Sequence, residues 1–130
     1  MTDQPAHSIA AILPCTDLDA STAFYERLGL RIESDHGSYR ILGDGAGWQL
    51  HLTNEAPEGW LVPDQNPFGL YLYTPRVEEL ADALQTDIIE SEGWATHKPW
   101  GMYEFAISDP DATLVRIGWP SRLIDPSAAG

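Results

Sequence analysis

Two hydrophobic spacings alternate along the chain, and they do so twice. Residues 8–14 form a short apolar run of strand length. Thr16 and Asp17 then offer capping oxygens for a helix reaching about Leu28, where Gly29 supplies the stop. Within that helix Leu18, Ser21, Phe24, Tyr25 and Leu28 form one stripe, and Asp19, Glu26 and Arg27 fall outside it. Short strands follow at residues 30–34, 38–42 and 47–53. The glycine-rich run at 43–47 joins the last two as a turn; with no helix after it, it is not a phosphate loop. Pro57, Pro63 and Pro67 mark a linker, and the order restarts. Residues 68–73 alternate as a strand, Thr74-Pro75 reads as an N-cap with proline at the first helical position, and Val77, Leu80, Ala81 and Leu84 keep helical spacing. Strands are expected near 89–95, 103–108 and 113–119.

The pattern predicts an α+β fold of two βαβββ modules, about residues 7–61 and 67–120, within a single domain spanning 1–130. Each helix has one apolar stripe and each sheet two faces, so the expected arrangement is a curved, cup-like mixed sheet with helices on the outer face. Period-two spacing assigns Ile9, Ala11, Leu13, Leu50, Leu52, Val115 and Ile117 to the helix-covered side. The opposite set is Ser8, Ala10, Ile12, Gln49, His51, Thr53, Leu70, Leu72, Leu114 and Arg116, whose mixed polarity suits a pocket.

Composition narrows the function more than the fold. With 20 acidic residues against 7 Lys and Arg, the net charge of −13 repels nucleic acid and anionic membrane surfaces and mildly favours a cationic ligand. Cys15 is the only cysteine, so no intrachain disulfide can form, and its setting suits a small buried hydrophobe better than a nucleophile. No segment approaches the ~18 apolar residues of a membrane span, and residues 1–8 lack the basic and apolar stretches of a leader, which makes the cytoplasm the expected compartment. Residues 127–130 are small and polar and should fray. Ser21, Ser34, Ser38 and Ser91 lack a Gly-x-Ser-x-Gly context. Glu78-Glu79 sits at a helix start, where negative charge is favourable anyway, and Glu90 and Glu92 read as solvated surface. No catalytic residue is assigned and no cofactor is implied.

The richest segment is 98–119, KPWGMYEFAISDPDATLVRIGW. Tyr103, Phe105 and Ile107 share one face of its first arm, Val115, Ile117 and Trp119 share one face of the second, and Asp109-Pro110-Asp111 reverses the chain. Together with PCTDLDASTAFYERLGL and WLVPDQNPFGLYLYTPRVEEL, this segment resembles the vicinal oxygen chelate superfamily, the glyoxalase, bleomycin-resistance and dioxygenase fold. That resemblance covers nearly the whole chain, and within it the combination WLVPDQNPFGLYLYTPRVEEL followed by HKPWGMYEFAISDP looks most like the bleomycin-resistance branch, whose members bind a drug without transforming it. One departure is that Ala112-Thr113 replaces the Gly-Asn usual after the turn.

The resemblance implies a site and an assembly. Metal-dependent relatives carry ligands at four positions that fall here near Ala10, His51, Leu70 and Arg116. Only His51 could bind a divalent ion, so no metal site of that type is expected. His7, His36 and His97 have no ligand spacing and read as surface histidines. Of the five tryptophans, Trp48 and Trp119 fit a core or interface, whereas Trp60, Trp94 and Trp100 sit beside prolines, glycines or polar loops. Trp100 matches the family tryptophan that stacks on the planar part of the drug. The expected ligand-binding set is Trp100, Tyr103, His51, Glu104, Arg116, Gln49 and Leu70, in a homodimer that builds its clefts between subunits. The expected partner is a small, partly aromatic and cationic molecule; because Arg116 disfavours a cation unless a carboxylate such as Glu104 neutralises it, an anionic or neutral ligand stays open. So do a metal-dependent lyase, isomerase or dioxygenase of the same fold, and a binding protein for an unrelated metabolite.

Overall fold

The computed structural model describes residues 7–57, 59–62, 65–89 and 93–124. The chain divides into two compact units with the break after Leu61. Each is a βαβββ module with its own open four-stranded sheet, so the α+β fold and the repeat stand as expected, in two sheets.

Module one runs β1 (Ala11–Pro14), α1 (Leu18–Glu26), β2 (Arg31–Asp35), β3 (Tyr39–Gly43) and β4 (Gln49–Thr53), in the sheet order β1-β4-β3-β2. Asp17 caps α1 by accepting the Ala20 N–H at 3.0 Å from an extended backbone. Gly29 then enters the left-handed region (φ 105), and Leu30 N–H reaches back to the Tyr25 carbonyl. Leu13, Leu42, Leu50 and Leu52 are buried, and α1 packs on β2 and β4 with Leu18, Ser21, Thr22 and Tyr25 buried. Burying each such leucine contributes roughly 1.5–3 kcal/mol. Arg40 shares the helix-covered face, opposite Leu52, donating to Thr22 Oγ1 at 3.0 Å and pairing with Asp19 at 2.9 Å. The glycine-rich run is a turn, with Asp44 accepting the N–H groups of Ala46 and Trp48. Ile9 departs from expectation: it is 94% exposed because the strand begins only at Ala11, so period-two spacing does not reach it.

Module two runs β5 (Gly69–Tyr73), α2 (Val77–Ala83), β6 (Thr96–His97), β7 (Met102–Ser108) and β8 (Leu114–Pro120), in the order β5-β8-β7-β6. Val77, Leu80, Ala81 and Leu84 are buried, and α2 packs on β7 and β8. The helix starts two residues later than Thr74-Pro75 suggests. Arg76 is its N-cap, and the Thr74 hydroxyl accepts the Arg76 N–H ahead of the first turn. The strand expected near 89–95 falls partly on residues outside those described; Ile89 forms a single bridge to Ala106, and the described β6 is only Thr96–His97. The expected fraying at 127–130 also lies outside the described residues.

The β7–β8 hairpin turns on Asp109, whose buried carboxylate accepts the N–H groups of Asp111 at 2.9 Å and Thr113 at 2.8 Å. Ala112 is held at φ 67, in the left-handed region that costs an L side chain about 1–2 kcal/mol. Glycine at this position is thus a physical requirement that alanine meets under strain. Ala112→Gly should stabilise the protein by about 0.5–1 kcal/mol, once the extra freedom of glycine in the unfolded chain is subtracted. Urea denaturation measures the difference; a loss of stability would contradict the strain.

Candidate functional site

In a strand, neighbouring side chains point to opposite faces, so register decides which residues of module two can share a site. The parallel β5–β8 pairing sets Leu70 opposite Val115, Tyr71 opposite Arg116 and Leu72 opposite Ile117. Leu70 and Leu72 therefore lie on the helix-covered side with Val115 and Ile117. The expected open-face assignment of Leu70 and Leu72 is shifted by one residue, and Tyr71 takes the place beside Arg116. The β7–β8 pairing likewise sets Phe105 opposite Ile117 and Glu104 opposite Gly118. Tyr103 and Glu104 cannot both face one ligand from the same strand. Tyr103 sits on the helix side, donates its hydroxyl to Glu78 of α2, and lies 4.5 Å from the His97 ring.

The open face is organised by Glu104, which is fully buried at 0% exposed. Its Oε1 accepts the Tyr71 hydroxyl and the Trp100 Nε1–H, both at 2.9 Å, and its Oε2 accepts Arg116 NH1 at 2.9 Å. A buried carboxylate is tolerable only when donors replace its water, and three do so here. Arg116, with 28% of its side chain exposed, is thus neutralised by the carboxylate expected to do so. Gly118 makes the arrangement feasible: a Cβ there would meet the Tyr71 hydroxyl and, at 2.8 Å, the Glu104 Cβ. Tyr73 continues the aromatic surface along β5, its ring 4.8 Å from that of Tyr71.

The Pro-Trp-Gly motif presents the indole. Gly101 N–H closes a β-turn onto the Lys98 carbonyl at 3.0 Å, with Pro99 at the second position, where its fixed φ fits, and Trp100 at the third. Gly101 then takes φ 86, which lets Lys98 N–H bond the Met102 carbonyl and the chain enter β7. Trp100 is 61% exposed although its indole nitrogen is tied to a buried carboxylate: the ring edge is anchored while the side chain stays largely open.

In module one, His51 is half-buried on the face away from α1, with the Tyr39 hydroxyl 2.6 Å from its Nδ1 and the two rings edge to face at 5.4 Å. Gln49 is exposed and donates to Glu33 at 3.2 Å. Trp60 and Trp94 are exposed as expected, and Trp48 and Trp119 are half-buried. His7, His36 and His97 are exposed, and Cys15 is buried. No three His, Cys, Asp or Glu side chains gather into a metal-sized cluster among the described residues. Of the four positions to which the resemblance assigns metal ligands, Ala10 and His51 in module one offer a single imidazole, already engaged by Tyr39, and Leu70 and Arg116 in module two offer no metal donor. Substituting Tyr71 for Leu70 adds only a phenol committed to Glu104. These residues do not fit a divalent ion.

Tyr71 and Tyr73 are the residues that sequence reasoning missed. Both lie in GLYLY, where leucine and tyrosine alternate so evenly that either set could face inward. The signal that could have decided it is Gly118, a gap in β8 beside the Tyr71 position.

Paired βαβββ modules, each with an open mixed sheet and one with an aromatic face built around a buried carboxylate, define the class of protein. The sequence matches the Glyoxalase/Bleomycin resistance protein/Dioxygenase superfamily over residues 6–117, and the chain belongs to that family. A Klebsiella pneumoniae protein named bleomycin resistance protein is 35% identical over 127 residues, covering 90% of this chain and 92% of the relative. The crystal structure of a bleomycin-binding protein complexed with bleomycin superposes with a TM-score of 0.72 at 28% identity, covering 88% of this chain and 98% of that one. A lactoylglutathione lyase from Agrobacterium tumefaciens shares the fold at 22% identity, with a TM-score of 0.66 over 89% of this chain and 95% of that one. No helix among the described residues is long and apolar enough to cross a membrane.

Two measurements probe the carboxylate cluster. Burial first, and then the bond to anionic Glu104, push the Tyr71 phenol well above the usual tyrosine range. Tyr71 should therefore ionise late in a spectrophotometric alkaline titration, and Tyr71→Phe should remove that late step. The sign follows from linkage: above pH ~10 the unfolded chain loses this proton while the folded one keeps it, so this contribution to stability falls as pH rises. Gly118→Ala should destabilise the protein by about 1–3 kcal/mol through overpacking. Loss of the late-ionising tyrosine in that variant would confirm the site of the clash, and an unchanged titration would refute it.

Proposed function

We propose that this chain is a metal-independent binding protein that sequesters a small, partly aromatic molecule of the bleomycin type on the open face of module two. The observation that carries this reading is Trp100, a largely exposed indole anchored through its nitrogen to a fully buried carboxylate. An exposed aromatic of this size is costly to leave bare and well suited to stacking on a planar ligand. Tyr73 extends the surface, and the Arg116–Glu104 pair presents no net charge to the ligand. With 20 acidic residues against 7 basic, the long-range field then favours a cation. The 35% identical relative named for bleomycin resistance, and the similar structure that holds bleomycin, give the ligand class its support. The donor set at the family's metal positions supports a role without a metal.

His51 and Gln49 are proposed as further polar contacts in module one, and Tyr103 and Leu70 as supports of the sheet behind the site. We take the protein to be a single-domain homodimer, because Ile12, Tyr73, Trp60 and Trp94 expose apolar surface that a second copy would cover. Its single cysteine and acidic surface fit the reducing cytoplasm.

Titration of metal-free and copper-loaded bleomycin against intrinsic tryptophan fluorescence tests the reading. The wild type should be quenched at micromolar drug, and Trp100→Ala should bind roughly tenfold or more weakly, as expected for loss of a central aromatic contact. Absence of quenching in the wild type would remove the drug-binding assignment. A stoichiometric divalent metal in the purified protein would remove the metal-independent one.

A further inference from the structure

We infer that Glu104 is a positioning residue with two separable tasks: its Oε1 fixes the indole of Trp100, and its Oε2 cancels the charge of Arg116, so that the open face of module two takes planar aromatic ligands that are neutral or cationic and rejects anionic ones. The inference rests on the reading that Trp100 meets the ligand.

Trp100 projects from a β-turn whose exposed indole has few rotamer constraints of its own. The Nε1–H bond to Glu104 removes that freedom, because the acceptor belongs to a seven-residue strand paired on both sides and is itself fully buried. A ring held in place before binding loses less entropy when a ligand stacks on it. The same oxygen also holds Tyr71, so the hydroxyl edge of one aromatic and the nitrogen edge of another are tied to one atom. The opposite oxygen works on charge. Without it, Arg116 would set a cation on the face beside Tyr71 and select anions; with it, the pair is neutral.

Glu104→Gln separates the tasks. The amide oxygen can still accept from Trp100 and Tyr71, while the amide NH2 replaces the oxygen that meets Arg116 and removes that negative charge from beside the guanidinium. Two readouts follow. The first needs no ligand: hydrogen exchange of the indole N–H groups, followed by nitrogen–proton NMR with Trp100→Phe to assign the signal. The Trp100 N–H should exchange at least about tenfold more slowly than that of comparably exposed Trp60, retain this protection in Glu104→Gln, and lose it in Glu104→Ala. Exchange as fast as that of Trp60 in the wild type would overturn the positioning role even if Glu104→Ala does not fold.

The second readout compares aminoacridine, a planar cation, with anthracene carboxylate, a planar anion. Wild type should prefer the cation, and Glu104→Gln should shift the ratio of affinities toward the anion by about tenfold. An unchanged ratio would overturn charge selection. If neither probe binds the wild type, the ligand reading and charge selection both fall, while slow indole exchange would still identify Glu104 as the anchor.

Discussion

A carboxylate without access to solvent has to be matched donor for donor, and in module two this constraint organises the whole open face. Glu104 draws Tyr71 from β5, Trp100 from the loop before β7 and Arg116 from β8 onto two oxygen atoms. Removing the cationic partner of a carboxylate buried in this way costs about 3–5 kcal/mol, because the remaining negative charge is left without water or counter-ion. The strands are joined by their ladders in any case. What the carboxylate adds is a fixed relation between side chains that the ladders leave free to rotate.

The two faces of β7 divide the work. Phe105 and Ile107 are buried on the α2 side with Val115 and Ile117 opposite them, and Tyr103 reaches α2 through Glu78. Glu104 points the other way. Core and site are thus built on alternate residues of one strand, so the hydrophobic packing that secures the helix also fixes the position of the site. Gly118 belongs to the same logic on β8. It lies opposite Glu104, and its missing side chain is the space that the Tyr71 hydroxyl crosses.

Much of this could be read in the sequence. The helical stripe of α1, its Asp17 cap, the repeat of module order and the Asp109 turn follow from spacing and turn chemistry. Arg116 was legible as a charge in need of a carboxylate, and Glu104 as a candidate for it. The faces of β5 were not, because GLYLY offers apolar and aromatic residues in perfect alternation and hydrophobicity alone gives no preference between the two registers. Burial of Glu104 was equally hidden. Glutamate is seldom buried unless paired, and its three donors come from residues 71, 100 and 116, gathered by the fold rather than by spacing. The late start of α2 reflects a different limit: Thr74 bonds the backbone two residues on, which from sequence is indistinguishable from a cap.

In both modules the strand made last sits in the interior of the sheet, with the first strand parallel on one side and the third antiparallel on the other. As a chain emerges during synthesis, β1 has no ladder partner until β4 is complete, and β5 none until β8. Completion of each sheet therefore waits for its last strand, and the parallel pairing of distant segments must meet the entropy of loop closure. In module two that step also delivers Arg116 and the gap at Gly118, so the carboxylate of Glu104 acquires its counter-ion as the sheet is completed.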